Sequence, residues 1–325
     1  MMKTLLVGYK AADITPELLE GDVTCHVLDI YHRHAIEKVH HAKCVCSAHL
    51  PEGPWDLIRF KTGPKIHSGE LSLDLLQEIS QLLENGEANS CSLVKNRKFH
   101  LDFVGKERDR NDLLNKIEDD PTRVRSFKAE WPASVPGGEK LMFTSYPGCF
   151  CHRRLDEGGL ALAEVASREI QDFRRETNDL RILDMGCGCG LVGFLIANRL
   201  SQTIKQSNNQ TISLVLVDSH ARAVEAATEN AAKFGIPAEV ILSDSGTPAG
   251  MDGSFDVFVG NPPYYSDYRI AEVFLETAKR ALKPGGVCYT VVKNAAGLKP
   301  VQEKFFPSVA VIARRGYSVL RSVMT

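Results

Sequence analysis

The chain has 325 residues, 43% of them hydrophobic and 25% charged, with a formal net charge of -2. That balance is a globular protein's. It excludes a fibre, a disordered chain or a small disulfide scaffold, and it supplies no general electrostatic grip on nucleic acid. The length suits two domains of about 150 residues each. No apolar run approaches the ~20 residues that span a bilayer. The opening MMKTLLVGYKAADITPELLE shows no signal-peptide h-region. The expected location is therefore the cytoplasm, with the nine cysteines expected as reduced thiols.

In chain order, the first half is irregular but foreshadows the second. VTCHVLDIYHRHAIE (23–37) parallels ISLVLVDSHARAVE (212–225): in both, an Asp ends the β-run and an Arg follows four positions later, Asp29 with Arg33 and Asp218 with Arg222. GPWDLIRF (53–60) parallels GSFDVFVG (253–260), with Asp56 matching Asp256. LLENGEANSCSLVKN (82–96) parallels ALKPGGVCYTVVKN (281–294). Three matches in one order predict a duplicated α/β unit. The first copy is degenerate. No Gly-rich turn precedes the Asp29 strand, and Lys61-Thr62-Gly63-Pro64 stands where the second copy has Asn261-Pro262-Pro263-Tyr264. Cys25, His26, His32, His34, His40, His41, Cys44, Cys46 and His49 crowd this half, but no C-x-x-C pair is present and no metal site is expected. Lys95, Arg97, Lys98, Lys106, Arg108 and Arg110 form modest basic clusters, a solvated surface or an RNA-phosphate patch. A breaker-rich stretch from Trp131 to Gly138 predicts a linker. The expected division is a degenerate domain at 1–136, for recognition or structure, and an active one at 137–325.

From residue 180 the pattern is strand and helix in alternation. LRILDM (180–185) ends in a Gly-rich turn, LVGFLIANRL (191–200) is an apolar helix and SQTIKQSNNQ (201–210) a loop. SLVLVD (213–218) is a strand, ARAVEAATENAAKFG (221–235) a helix closed by Gly235, and AEVILSD (238–244) and FDVFVGNPP (255–263) are strands. YRIAEVFLETAKRAL (268–282) is a helix stopped at Lys283-Pro284-Gly285-Gly286, and VCYTVVKN (287–294) and YSVLRSV (317–323) complete the set. Strands separated by helices predict parallel neighbours joined by right-handed crossovers.

Three motifs carry chemistry. In Asp184-Met-Gly186-Cys-Gly188-Cys-Gly190 the glycines let the backbone turn and approach a ligand. Gly188, Gly190 and Gly193 also fit the dinucleotide spacing G-x-G-x-x-G, which leaves an NAD-dependent oxidoreductase as an alternative. Asp184 argues against it: a carboxylate there repels pyrophosphate and favours a ligand with positive charge, such as the ammonium and sulfonium of S-adenosylmethionine. Asp218 ends the next strand, where an acid accepts ribose hydroxyls or caps the following helix. Asp244, after the third strand, is placed to bond an adenine amino group or to form an Asx-turn. In Asn261-Pro262-Pro263-Tyr264, two prolines remove two donors at a strand's carboxyl end. The Asn261 side-chain oxygen and the Pro262 carbonyl are then two acceptors suited to a planar NH2 group, and Tyr264 offers a face for stacking.

D-x-G-x-G-x-G, an acid after the second strand and N-P-P-Y after the fourth together resemble a class I S-adenosylmethionine-dependent methyltransferase of the branch that methylates planar nitrogens. Phe143-Thr-Ser-Tyr-Pro147-Gly148-Cys-Phe150 and Leu155-Asp156-Glu-Gly158-Gly-Leu-Ala-Leu resemble the entry segment of the methyltransferase-small domain. With the degenerate first half, the whole chain is similar to the bacterial RsmC/RlmG-type ribosomal RNA guanine-N2 methyltransferases. The resemblance implies a Rossmann-like, mostly parallel seven-stranded sheet preceded by the duplicated α/β domain. It also implies S-adenosyl-L-methionine as cofactor on Asp184, Gly186, Gly188, Gly190, Asp218 and Asp244, catalysis by Asn261, Pro262, Pro263 and Tyr264, no metal, and ribosomal RNA as partner. Tyr264-Tyr265 departs from that family's usual Phe or Ile and is closer to adenine-N6 and glutamine-N5 enzymes, so those acceptors stay open.

Overall fold

The computed structural model describes residues 1–62, 68–95, 99–104, 126–173, 179–204, 211–247, 250–263 and 268–325. The chain forms two compact units. The first is Met1–Lys128 with Tyr146–Gly148 and His220–Arg222; the second is Ala129–Ser145, Cys149–Ser219 and Ala223–Thr325.

In the first unit the elements are β1 (Lys3–Val7), β2 (Asp22–Val27), α1 (Ile30–His40), β3 (Lys43–Cys46), β4 (Leu57–Thr62), α2 (Gly69–Glu84), β5 (Ser90–Lys95) and β6 (Phe99–Val104). They build a sheet of order β3-β2-β1-β4-β5-β6, parallel except for the antiparallel pair β5–β6. One face is closed by α2, whose Leu71, Leu75, Leu76, Ile79, Leu82 and Leu83 recur at helical spacing and pack on Leu5, Ile58 and Phe60. Asp29 ends the second strand region and caps α1, accepting from Tyr31 N at 2.9 Å. Asp56 accepts from Lys3 N at 2.7 Å and so pins the amino end of β1. At the other end of β1 a single glycine, Gly8, turns the chain.

The second unit begins with a two-stranded antiparallel ribbon, β7 (Ala129–Ala133) and β8 (Leu141–Ser145). Part of the expected linker is therefore strand. Pro132 lies on the exposed side of an alternating pattern, where its missing N–H is tolerated, while Trp131 is buried and stacks on Phe143. There follow α3 (Glu157–Phe173), β9 (Asp179–Met185), α4 (Leu191–Ile204), β10 (Thr211–Asp218), α5 (Ala221–Phe234), β11 (Ala238–Leu242), β12 (Phe255–Gly260), α6 (Arg269–Ala281), β13 (Leu282–Val292), α7 (Ala295–Gln302), β14 (Ala310–Arg314) and β15 (Tyr317–Val323). The sheet order is β11-β10-β9-β12-β13-β15-β14. β15 is antiparallel to both of its neighbours, and the rest pair in parallel. Several boundaries differ from the sequence expectation: β11 ends at Leu242 and β12 at Gly260, short of 244 and 263. α4 runs to Ile204, into the stretch expected as loop, and Lys283-Pro284-Gly285-Gly286 lies inside β13, with a register shift opposite Phe255–Val257. Asp256 accepts from Arg181 N at 2.8 Å, so it pins β9 as Asp56 pins β1.

Buried Asn230 on α5 ties the ribbon to the central turn. Its Oδ1 accepts from Thr144 N at 2.8 Å, and its Nδ2 donates to the carbonyls of Thr144 and Cys189, both at 2.9 Å. Asn230→Ala leaves these backbone groups buried without that partner. It is expected to destabilise the protein by about 3 kcal/mol, read as a lowered urea midpoint at unchanged m-value. A loss under about 0.5 kcal/mol would show that the three bonds do not hold the turn.

Candidate active site at the carboxyl ends of the parallel strands

Strand register decides which loops meet. Met185, the last residue of β9, is the Cα partner of Val217 on one side and of Gly260 on the other. Neighbouring strands lie about 4.8 Å apart. The glycine turn after Met185, Asp218 at the end of β10 and Asn261 after β12 therefore start side by side. Leu242, the end of β11, pairs with Asp218, and Ser243 N donates to Asp218 O at 2.9 Å, which brings Asp244 to the same edge.

The turn is fixed from below and open above. Gly186 and Cys187 both donate to Val217 O, at 2.8 and 3.0 Å. Gly186 has φ +67°, and a Cβ there would come within 2.7 Å of the Phe274 ring of α6. Gly188 has φ +56°, and a Cβ there would meet nothing within 4 Å. A side chain on the exposed Gly186 would collide with packing, whereas the half-buried Gly188 has open space beside it that a ligand can enter. Cys187 and Cys189 are buried small residues of this turn, and burial pushes both thiols up.

Two carboxylates brace it. Asp218 Oδ2 accepts from Gly188 N at 2.8 Å, which orients that carboxylate against the turn. Asp184 is buried, with Oδ2 accepting from Gly193 N at 2.9 Å. Burial raises its pKa to about 7; the Gly193 bond opposes that rise and the charge of Asp218 adds to it. Asp184 therefore joins strand to helix and also adds to an acidic strand edge.

Asn261 sits directly after β12, half-buried, followed by buried Pro262 and half-buried Pro263. Its Nδ2 donates to Asp156 Oδ2 at 2.8 Å. An ionised carboxylate only accepts, so the amide nitrogen must face Asp156 and the Asn261 carbonyl oxygen points away from it. Asp156 also accepts from Gly158 N at 3.0 Å and Gly159 N at 2.9 Å at the start of α3. Sequence reasoning placed Asp156 in the entry segment but not in the site. The signal was an Asp two residues before a Gly-Gly helix start, but its partner lies 105 residues away. Tyr264, Tyr265, Arg97, Lys98, Lys106, Arg108 and Arg110 fall outside the described residues. Among the described residues no group of three or more His, Cys, Asp or Glu could hold a metal. His26 and His40 instead bond the carbonyls of Ser47 and Ala11.

Residues 140–321 match the family profile described as methyltransferase small domain. The chain belongs to that family. It is 31% identical over 193 residues to the ribosomal RNA small subunit methyltransferase C of Pseudoalteromonas translucida, covering 58% of this chain and 51% of that protein. The protein of the same name from a Marinomonas species is 27% identical over 259 residues, covering 76% and 70%. The chain thus spans about half the length of the first relative. A solved structure of the T. thermophilus 16S rRNA N2 G1207 methyltransferase (RsmC), in complex with AdoMet and guanosine, superposes with a TM-score of 0.75 at 16% identity, covering 100% of this chain and 89% of that one. That likeness establishes the fold as α/β of the class I methyltransferase type with a parallel sheet.

The raised pKa of Asp184 has a sign that can be tested. The folded chain keeps this proton up to about pH 7, while the unfolded one releases it near 3.8. Between these values the native state binds more protons, so this contribution to stability is complete below the lower value and lost as pH rises to the upper one. The stability of the wild type relative to Asp184→Asn is expected to fall on the order of 4 kcal/mol between pH 4 and pH 7 and then level off. Urea unfolding of both proteins across this range checks it; a pH-independent difference contradicts the assignment.

Proposed function

We propose that the chain is an S-adenosylmethionine-dependent N-methyltransferase acting on the exocyclic amino group of a base in RNA, with guanine N2 of ribosomal RNA as the leading acceptor. The observation that carries this reading is the Asn261 amide, turned by Asp156 so that its oxygen is the acceptor, next to the carbonyl of donor-free Pro262 and beside an acidic glycine turn. An amine that presents two hydrogens matches two acceptors. Family membership, the names of the relatives and the guanosine in the T. thermophilus structure support the same acceptor.

The residues present suit the cofactor. Space opens beyond Gly188, and the edge carries Asp184, Asp218 and Asp244, which favour a sulfonium and an ammonium and disfavour the pyrophosphate of NAD. Asp218 would hold the ribose, Asp244 the adenine amino group, and Asp184, Gly186, Gly188 and Gly190 the methionine and sugar. When bound, S-adenosylmethionine supplies an electrophilic methyl group to the accepting nitrogen. The chain's own residues hold that nitrogen. Asn261 Oδ1 and Pro262 O would accept its two hydrogens, bonds that strengthen as the nitrogen gives up electron density; as the S–CH3 bond breaks and the N–CH3 bond forms, one of those hydrogens leaves as a proton to solvent, and Tyr264 is the proposed stacking partner of the base. Orientation and preorganised acceptors provide the rate.

The proposed architecture is a seven-stranded catalytic domain at 137–325 and a degenerate copy at 1–136. The shared core order of the two sheets and the matching roles of Asp56 and Asp256 support duplication. Asp29 caps its own helix, and no Gly-rich turn precedes its strand in the sequence, in keeping with lost cofactor binding. The setting would be the cytoplasm, with ribosomal RNA as partner; no described helix is long and apolar enough to cross a membrane. Tyr264 favours a second acceptor, adenine N6 or protein glutamine N5.

Label from S-adenosylmethionine, followed into total RNA and total protein with nucleoside analysis, is expected in N2-methylguanosine. Label in N6-methyladenosine or in glutamine moves the acceptor, and no transfer at all sinks the enzyme. Asn261→Ala is expected to lower kcat by roughly 10²–10³, with cofactor affinity within about twofold of wild type. Normal turnover by a folded variant would remove Asn261 from the mechanism.

A further inference from the structure

The geometry points to Asp156 as a positioning residue that sets which end of the Asn261 amide faces the substrate, so that turnover requires Asp156 ionised. This rests on the reading of Asn261 as the amine acceptor.

Asp156 is surrounded by donors. Oδ1 takes Gly158 N at 3.0 Å, and Oδ2 takes both Gly159 N at 2.9 Å and Asn261 Nδ2 at 2.8 Å. Three N–H groups converge on one side chain, and only an ionised carboxylate accepts on both oxygens without carrying a donor of its own. The two backbone N–H groups open α3 and cannot turn away. Asn261 can: a half-turn of its amide exchanges oxygen for nitrogen at almost no steric cost. If Asp156 gains a proton, or becomes Asn, one of its two positions becomes a donor. With Gly158 N holding Oδ1 as the remaining acceptor, the new donor stands at the Oδ2 position, where Gly159 N loses its partner and Asn261 meets a donor. The low-energy response is rotation of Asn261, which puts its NH2 where the amine-accepting oxygen had been. The Asn261 NH2 then opposes the substrate NH2, and the substrate amine is repelled instead of held.

The groups around Asp156 work in both directions. Burial raises its pKa above 3.8, the three hydrogen bonds lower it, and neighbouring Glu157 raises it. The net direction is upward, so Asp156 takes up its proton at a higher pH than an ordinary aspartate does.

Asp156→Asn keeps a good helix cap, and Asp156→Ser keeps a cap too short to reach Asn261. Both are therefore expected to fold, which thermal unfolding checks. With full-length protein, ribosomal RNA and labelled S-adenosylmethionine, both variants should lose about 10²-fold in kcat and bind the cofactor within twofold of wild type. The wild-type kcat should rise with pH through a limb above pH 3.8 that is missing from the residual activity of Asp156→Asn. A second readout needs no activity: the side-chain NH2 resonances of Asn261, assigned by their loss in Asn261→Ala, should titrate with Asp156 in the wild type and be pH-independent in Asp156→Asn. A wild type that transfers no methyl would end the methyltransferase reading, and the NH2 resonances would still judge the Asp156–Asn261 coupling. Unchanged kcat and pH profile in the variants, or NH2 resonances indifferent to Asp156, would overturn the proposal.

Discussion

Everything in the site follows from the register of one strand. β9 lies between β10 and β12, and its last residue, Met185, pairs with Val217 and Gly260 on its two sides. A shift of one residue on either side would move Asp218 or Asn261 out of line with the glycine turn and turn alternate side chains to the other face. The register is held at both ends. At the amino end, Asp256 accepts from the backbone of Arg181. At the carboxyl end, a Cβ on either Gly186 or Gly260 would strike Phe274, at 2.7 and 2.9 Å. One aromatic ring thus fills the space under two loops, and only glycine above it lets both loops descend. Packing energy from the core under α6 is used to place backbone that binds nothing by itself.

Charge does the second half of the organisation. The edge gathers carboxylates, and the structure manages their repulsion by giving each a different environment. Asp218 is oriented by Gly188 N–H, Asp184 is buried with its pKa raised to about 7, and Asp156 receives three donors. An edge of this kind has little use for phosphate. It favours a ligand that brings positive charge, and such a ligand would in turn favour the ionised form of Asp184.

The sequence made the turn, Asp218 and Asn261-Pro262-Pro263 readable because each is a local motif at the end of an apolar β-run. Their convergence follows from the rule that open parallel sheets bind ligands at strand carboxyl ends. Asp156 was hidden because its meaning lies in a partner far along the chain, and an Asp before Gly-Gly reads locally as a helix cap, which it also is. The end of β7, residues 131–133, reads as linker in the sequence because Pro132 and the glycines after it outweigh the alternation of Ala129, Trp131 and Ala133. In the first half, the five-residue KTLLV of β1 carries too little pattern to announce the centre of a sheet. Its role appears only when β2 and β4 pair on either side of it.

The proposed division of labour places ligand chemistry where β9, β10 and β12 end and none at the carboxyl end of β1. Hydrogen exchange of the full-length protein with and without S-adenosylmethionine tests this most directly. Slowed exchange is expected at residues 186–190 and 218–219, with residues 8–10 after β1 unchanged. Protection at residues 8–10, or none at the glycine turn in the presence of saturating ligand, would contradict it.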